Sequence, residues 1–107
     1  MNSSALDSLS DPRRLAIVEL LAGGERCLCD ISGALGISDA LASHHLKNLR
    51  EAGVVIAERR GVWLHCRIDP DVLERTGSAL AALATRAREA ASLSTPCCPP
   101  ADEGGSR

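Results

Sequence analysis

Cys27 and Cys29 flank a single leucine, and Cys97 and Cys98 adjoin each other between Pro96 and Pro99. With the isolated Cys66 they make 5 cysteines, an odd count that suits metal or redox chemistry better than a disulfide framework. Thiolates select soft ions over Mg2+ or Ca2+. Residues i and i+2 of a helix point about 200° apart. Two thiolates at that spacing therefore meet on one ion only if Cys27, with or without Cys29, sits in extended backbone ahead of a helix. Gly23-Gly24 permits such an entry. The competing reading of the pair is two small buried hydrophobes. Two sulfurs also leave a coordination shell open, since trigonal As(III) wants three ligands and a tetrahedral ion four. Cys66 alternates with Leu64 and Ile68 on one face of an expected strand, and reads as a small core residue outside the site.

The elements that must position these cysteines are punctuated clearly. Ser10-Asp11-Pro12 supplies a cap and a first-turn proline for a helix to about Ala22, with Leu15, Val18 and Leu21 facing inward and Leu20 alongside. Gly23-Gly24 ends it. Asp30 is the expected cap of a short helix over residues 31–35, and Gly36-Ile37-Ser38 makes a tight turn into a second helix capped by Ser38. This is a helix-turn-helix outline. In the second helix Ala42, Leu46 and Leu49 face inward, which leaves Asp39, Ala40, Leu41, Ser43, His44 and Lys47 on or near the opposite side. Glu51-Ala52-Gly53 closes it. Residues 54–58 and 62–68 read as two strands joined by a basic turn at Arg59-Arg60-Gly61, the hairpin of a wing. Asp69-Pro70 starts a last helix to near Ala91, with Thr76, Leu80, Leu83 and Ala87 along one face among many alanines. Small residues there let two helices approach closely.

The expected fold is thus mainly α with a small β-hairpin: a winged helix-turn-helix that dimerises through terminal helices. Residues 1–92 are expected to form this reading-head and dimerisation domain, and residues 93–107 a flexible Cys/Pro tail. Composition agrees with a partner subunit. Apolar residues are 45% of the chain, yet Phe and Tyr are absent and Trp occurs once, so the core must be aliphatic and small in volume. A chain of 107 residues has room for one domain and buries only about 60 to 65% of its unfolded surface. A second catalytic domain is excluded. Apolar runs fall far short of the roughly 20 residues of a bilayer span, and the N-terminus has no basic start leading into an apolar stretch. A soluble, cytoplasmic protein without membrane contact is expected.

The net charge of -2 argues against indiscriminate binding to nucleic acid. Over residues 38–61 Lys47, Arg50, Arg59 and Arg60 outnumber Asp39, Glu51 and Glu58 by only one, so shape carries the expectation rather than charge. A second helix of this kind fits the major groove while the wing reaches phosphates or the minor groove. The expected DNA contacts are Ser38, Asp39, Ala40, Leu41, Ser43, His44 and Lys47 with Arg59 and Arg60. His45, nearer the inward face, is expected to be a core-edge histidine with a satisfied hydrogen bond. A winged helix used only for protein interaction is the bland alternative.

Leu9-Ser10-Asp11-Pro12-Arg13-Arg14-Leu15, Cys27-Leu28-Cys29-Asp30-Ile31, Ser43-His44-His45-Leu46-Lys47 with Leu49-Arg50-Glu51-Ala52-Gly53, and Gly61-Val62-Trp63 follow one another in order. Together they resemble the successive signatures of the ArsR/SmtB family of metal-sensing repressors, over roughly residues 9–70. The resemblance implies a homodimeric winged helix, not an enzyme, that represses a metal-resistance operon and releases its operator when metal binds. It also implies a Cys-x-Cys metal site at Cys27 and Cys29. One arsenite-sensing branch carries a further cysteine three residues on, where this chain has Ser32. Cadmium and lead sensors resemble the chain around the pair but draw extra cysteines from an N-terminal arm, and no cysteine precedes Cys27 here. Cys97 and Cys98 are expected to replace that arm, because about five extended residues span up to roughly 17 Å. One tail sulfur suits As(III) and two suit Cd(II) or Pb(II), with Zn(II) a further candidate. The family's Zn(II) site on the last helix needs histidine, which residues 70–91 lack. Trp63 matches an aromatic of the wing and reads as hairpin packing.

Two rival readings use the same cysteines. In a thiol redox switch the pairs oxidise instead of binding metal. A small thiol oxidoreductase would need a thioredoxin-like alternation of strands and helices around them, which the sequence lacks.

Overall fold

Asp11 takes extended backbone and its carboxylate accepts from the backbone N–H of Arg13 at 2.8 Å and of Arg14 at 3.2 Å, and Pro12 follows in the first turn. This start is the one expected from the sequence. The computed structural model describes residues 3–93. In chain order the elements are α1 (Ser3–Ser8), α2 (Pro12–Leu21), β1 (Arg26–Cys27), α3 (Leu28–Leu35), α4 (Asp39–Glu51), β2 (Val55–Arg60), β3 (Trp63–Ile68) and α5 (Pro70–Leu93). The short α1 was not anticipated. It is fastened by the Arg14 Nε, which donates to the Ser8 carbonyl at 2.7 Å, and it buries Ala5 completely.

The α2 stripe differs from expectation at one position. Ile17, Val18 and Leu21 are buried, whereas Leu15 is 42% exposed. Positions 15 and 17 lie about 200° apart around the axis, so only one of them can face the core. Ile17 does so and is fully buried.

Asp30 does not cap α3. The cap is Cys27, in extended backbone at φ -84°, ψ 162°, and Asp30 lies inside the first turn. There its charge complements the helix dipole. Gly36 ends α3 at φ 67°, and the Ile37 N–H donates back to the Ser32 carbonyl at 3.1 Å. The left-handed conformation favours glycine at that position. Ser38 Oγ then accepts from the Leu41 N–H at 3.0 Å, capping α4. Ala42, His45, Leu46 and Leu49 form the buried side of α4.

The sheet has three antiparallel strands in the order β1-β3-β2, not the two of a lone hairpin. Arg59 and Arg60 belong to β2, Arg60 pairs with Trp63, and the connection is the two-residue turn Gly61-Val62. Gly61 has φ 64° and Val62 is not in positive-φ space, a combination that follows strand twist and needs glycine first. Ile17, Ile31, Leu46, Leu49, Val54 and Cys66 are the large fully buried side chains, so the core is aliphatic with one thiol.

Asp69 Oδ1 accepts from the Asp71 N–H at 3.1 Å and starts α5. Only Val72 and Thr76 of this 24-residue helix are buried. Leu80 and Leu83 are 43% and 44% exposed, on the face that the sequence marked as apolar. No helix among the described residues is long and apolar enough to cross a membrane.

Candidate metal centre and nucleic-acid interface

Extended backbone at Cys27 and helical backbone at Cys29 solve the geometric difficulty of the i, i+2 spacing. The chain turns from β1 into α3 between them, and their Sγ atoms lie 3.0 Å apart. Cys27 is half-buried and Cys29 exposed. The hydrogen bond that Cys29 shares with Cys27 pushes the Cys29 thiol up from its ordinary pKa, because losing the Cys29 proton would break it. Asp30 joins them, and the ligand atoms of the three residues all lie within 4.8 Å of one another. Sequence reasoning had given Asp30 only a capping role. Two sulfurs and a carboxylate at the end of an edge strand form a donor set that fits a soft or borderline cation.

Cys66 stands apart. It is fully buried on the opposite face of the sheet, and burial raises its thiol pKa, so it is the core residue expected. Cys97 and Cys98 lie outside the described residues.

His65 was not singled out from the sequence. It is the cross-strand partner of Cys27, its Nδ1 lies 3.8 Å from Glu25 Oε2, and its side chain is 29% exposed. The signal that finds it is the β1–β3 register, which no periodicity reveals in a two-residue strand. Glu25 Oε2 also pairs with Arg60 at 3.0 Å, and Arg60 reaches Glu58 at 3.0 Å. The Arg60 guanidinium accordingly holds the Glu58 carboxyl below its ordinary pKa, and Glu58 raises that of Arg60. Arg67 adds a second cation to Glu58 at 3.4 Å.

The outward side of α4 carries Ala40, Ser43, His44 and Lys47, all exposed, with Ser38 and Asp39 exposed at its start and Leu41 half-buried. Ala40, Ser43, His44, Lys47 and Arg50 line one wall of an open groove of about 770 Å³, completed by Val55 and Ile56 at the base of the wing. Arg50 was not among the expected contacts. Asp39 has a structural partner, since its carboxylate accepts from Ser32 Oγ. Arg59 is exposed and lines a smaller cleft of about 250 Å³ with Cys29, Ser43 and Trp63. Trp63 is 54% exposed, with the rest of its surface covered at the end of the hairpin where it pairs with Arg60.

His45 is buried as expected, but neither ring nitrogen has a hydrogen-bond partner among the described residues. The nearby Asp11 carboxylate is already engaged by the start of α2. Burial therefore holds the His45 pKa below its ordinary value, partly offset by Asp11.

Residues 11–57 match the family model described as "Bacterial regulatory protein, arsR family". The chain is 43% identical over 65 residues to the arsenical resistance operon repressor of Escherichia coli strain K12, a match covering 60% of this chain and 56% of that protein. The chain thus spans little more than half the length of that relative. It is 33% identical over 72 residues to the transcriptional repressor SdpR of Bacillus subtilis, covering 67% of this chain and 80% of SdpR. Among solved structures it is similar to a homodimeric winged helix-turn-helix DNA-binding domain from Mycobacterium bovis, described as a possible ArsR-family transcriptional regulator. The TM-score is 0.64 at 34% identity, covering 81% of each chain.

Proposed function

This chain belongs to the arsR family of bacterial regulatory proteins, and from that premise we propose that it is a cytoplasmic, metal- or metalloid-responsive repressor. As a homodimer it binds operator DNA, and it releases the operator when a thiophilic ion is held by Cys27 and Cys29. The observation that carries this reading is the pair of thiols 3.0 Å apart where β1 enters α3. α3 is the first helix of the helix-turn-helix, and Ser32 within it bonds to Asp39, the first residue of α4. An ion at the pair therefore sits one turn of helix from the fastening of the reading head.

The ion would be held by Cys27 and Cys29, with the remaining sulfur from Cys97 and Cys98. As(III), Cd(II) and Pb(II) are the candidate effectors and Zn(II) a further one; when bound, the ion supplies a cross-link between thiolates. The Escherichia coli relative, an arsenical resistance repressor, supports the metalloid reading. Ser38, Ala40, Leu41, Ser43, His44 and Lys47 would meet the major groove with Asp39 at the entry, and Arg59 and Arg60 would meet the backbone from the wing. The exposed Leu80 and Leu83 of α5 supply an apolar face for the second subunit. If ion and operator favour different dimer conformations, each weakens the other by the same factor, commonly about 1 to 3 kcal/mol.

A second reading has one observation of its own. Thiols as close as Cys27 and Cys29 also suit oxidation, so a redox switch uses the same pair. Operator binding followed by fluorescence anisotropy under strict reduction separates the two. Addition of Cd(II), Pb(II), As(III) or Zn(II) releases the operator from a metal-responsive repressor, and Cys27→Ser abolishes the release. A redox switch keeps its operator until an oxidant is added. If Cys97→Ser/Cys98→Ser responds like the unaltered chain, the tail supplies no ligand.

A further inference from the structure

We infer that His65, on the wing, is a ligand of the same ion and that Glu25 is the positioning residue behind it. The inference rests on the metal-responsive reading above and deepens it. Cys27 and His65 are direct partners in the antiparallel β1–β3 register. Their side chains therefore leave the same face of the sheet, with Cβ atoms about 4.5 to 5.5 Å apart. That separation suits two donors on one ion, for which bonds of about 2.0 to 2.3 Å to nitrogen and sulfur are required. Cys29 is already 3.0 Å from Cys27. The ligand atoms of Cys27, Cys29 and Asp30 already lie within 4.8 Å of one another, and His65 on the adjoining strand is the next donor that a side-chain rotation brings to that corner, without any contribution from the tail.

Glu25 is the independent observation. A metal-bound imidazole characteristically directs its second ring nitrogen to a carboxylate, which fixes its tautomer and orientation. Glu25 Oε2 lies 3.8 Å from His65 Nδ1, the ring nitrogen nearer the strand, an ion-pair rather than a hydrogen-bond separation that places the carboxylate to draw the Nδ1 proton when Nε2 is the ligand atom. Glu25 is itself held by Arg60 at 3.0 Å. The line Cys27, His65, Glu25, Arg60 therefore joins the metal site to the end of β2 in the wing.

The donor set also narrows the ion. As(III) is suited by sulfur alone, whereas two thiolates with an imidazole suit a divalent ion of the zinc and cadmium kind. Recruitment of His65 accordingly favours Cd(II) or Zn(II) over As(III).

The test uses the full, reduced chain with isotopically labelled histidine nitrogens, loaded with one equivalent of an NMR-active cadmium isotope. The expected result is a direct cadmium–nitrogen coupling at His65 Nε2 and none at His44 or His45. Glu25→Gln is expected to keep that coupling while lowering Cd(II) affinity by roughly tenfold to a hundredfold, and His65→Gln to lose at least as much. Cadmium held by Cys27 and Cys29 with an uncoupled His65 overturns this inference and leaves the metal-responsive reading intact. Cadmium that fails to bind the cysteine pair overturns this inference, and if As(III), Pb(II) and Zn(II) also fail to bind there the metal-responsive reading falls with it. Because the coupling is read on the unaltered protein, a variant that misfolds does not decide the matter.

Discussion

Cys66 and Cys27 occupy neighbouring pairs of one small sheet and live in opposite chemistries. Cys66 stands opposite Arg26, and Cys27 stands opposite His65. A single step along β1 or β3 moves a side chain from one face to the other. On the inner face Cys66 is fully buried in the aliphatic core cluster, and its thiol pKa is raised by burial. On the outer face Cys27 meets a second thiol at 3.0 Å, with His65 across the strand and an ion-pair group of Glu25, Glu58, Arg60 and Arg67 beyond it. The same residue type is thus a core hydrophobe in one place and a ligand candidate in the other. Strand register makes the difference.

That contrast is broken most severely from the outer side. Cys27→Ser/Cys29→Ser is expected to lower the affinity for Cd(II) or As(III) by at least about a hundredfold, because each lost thiolate removes a primary ligand. The melting temperature should stay unchanged, since neither thiol belongs to the core. Chelator competition and a thermal melt check the two halves. Cys66→Ser should give the reverse pattern. A hydroxyl buried in that aliphatic setting costs about 1 to 3 kcal/mol, read by urea unfolding, while ion affinity stays within about twofold of the unaltered chain.

His45 gives the inner side its pH dependence. Burial depresses its folded pKa below the ordinary 6.5, so the unfolded chain takes up a proton first as pH falls. Stability should be complete above about 6.5 and decline from there down to the lowered folded value, with a slope of at most about 1.4 kcal/mol per pH unit. Urea midpoints between about pH 7.5 and about 5.5 measure this, and His45→Leu should flatten the decline. The smallest effect belongs to the outer ion pairs. Glu58→Gln removes contacts to Arg60 and Arg67 on an exposed strand, where solvent and salt screen them. No change in unfolding midpoint is expected at physiological ionic strength.

Much of this was legible without coordinates because several elements announce themselves by local chemistry. Asp11-Pro12, Gly36 and Ser38 each do what their types require at a helix end, and Ala42, Leu46 and Leu49 fall on one side of α4 as their spacing demands. The cysteine pair was legible for the same reason, since its spacing dictated extended backbone at Cys27. What escaped depends on pairing over distance. β1 is two residues long and has no period of its own, so its addition to β3, and with it the role of His65, emerges only from register. The choice of Ile17 over Leu15 depends on which side α3, α4 and the sheet approach. His45 was expected to satisfy its ring nitrogens because buried polar groups usually do. Here the nearest carboxylate, Asp11, is already spoken for by backbone N–H groups.

Ser32 brings out a trade-off at a single position. Its hydroxyl carries one proton and faces two acceptors, the Cys29 carbonyl at 3.2 Å and the Asp39 carboxylate, so it links the turn bearing the thiol to the start of the next helix. A cysteine at 32 would add sulfur one helical turn from Cys29 and give up a strong hydroxyl donor, because a thiol is a weak one. The chain can use that position as a rivet between two helices or as a claw on an ion, and it carries the rivet.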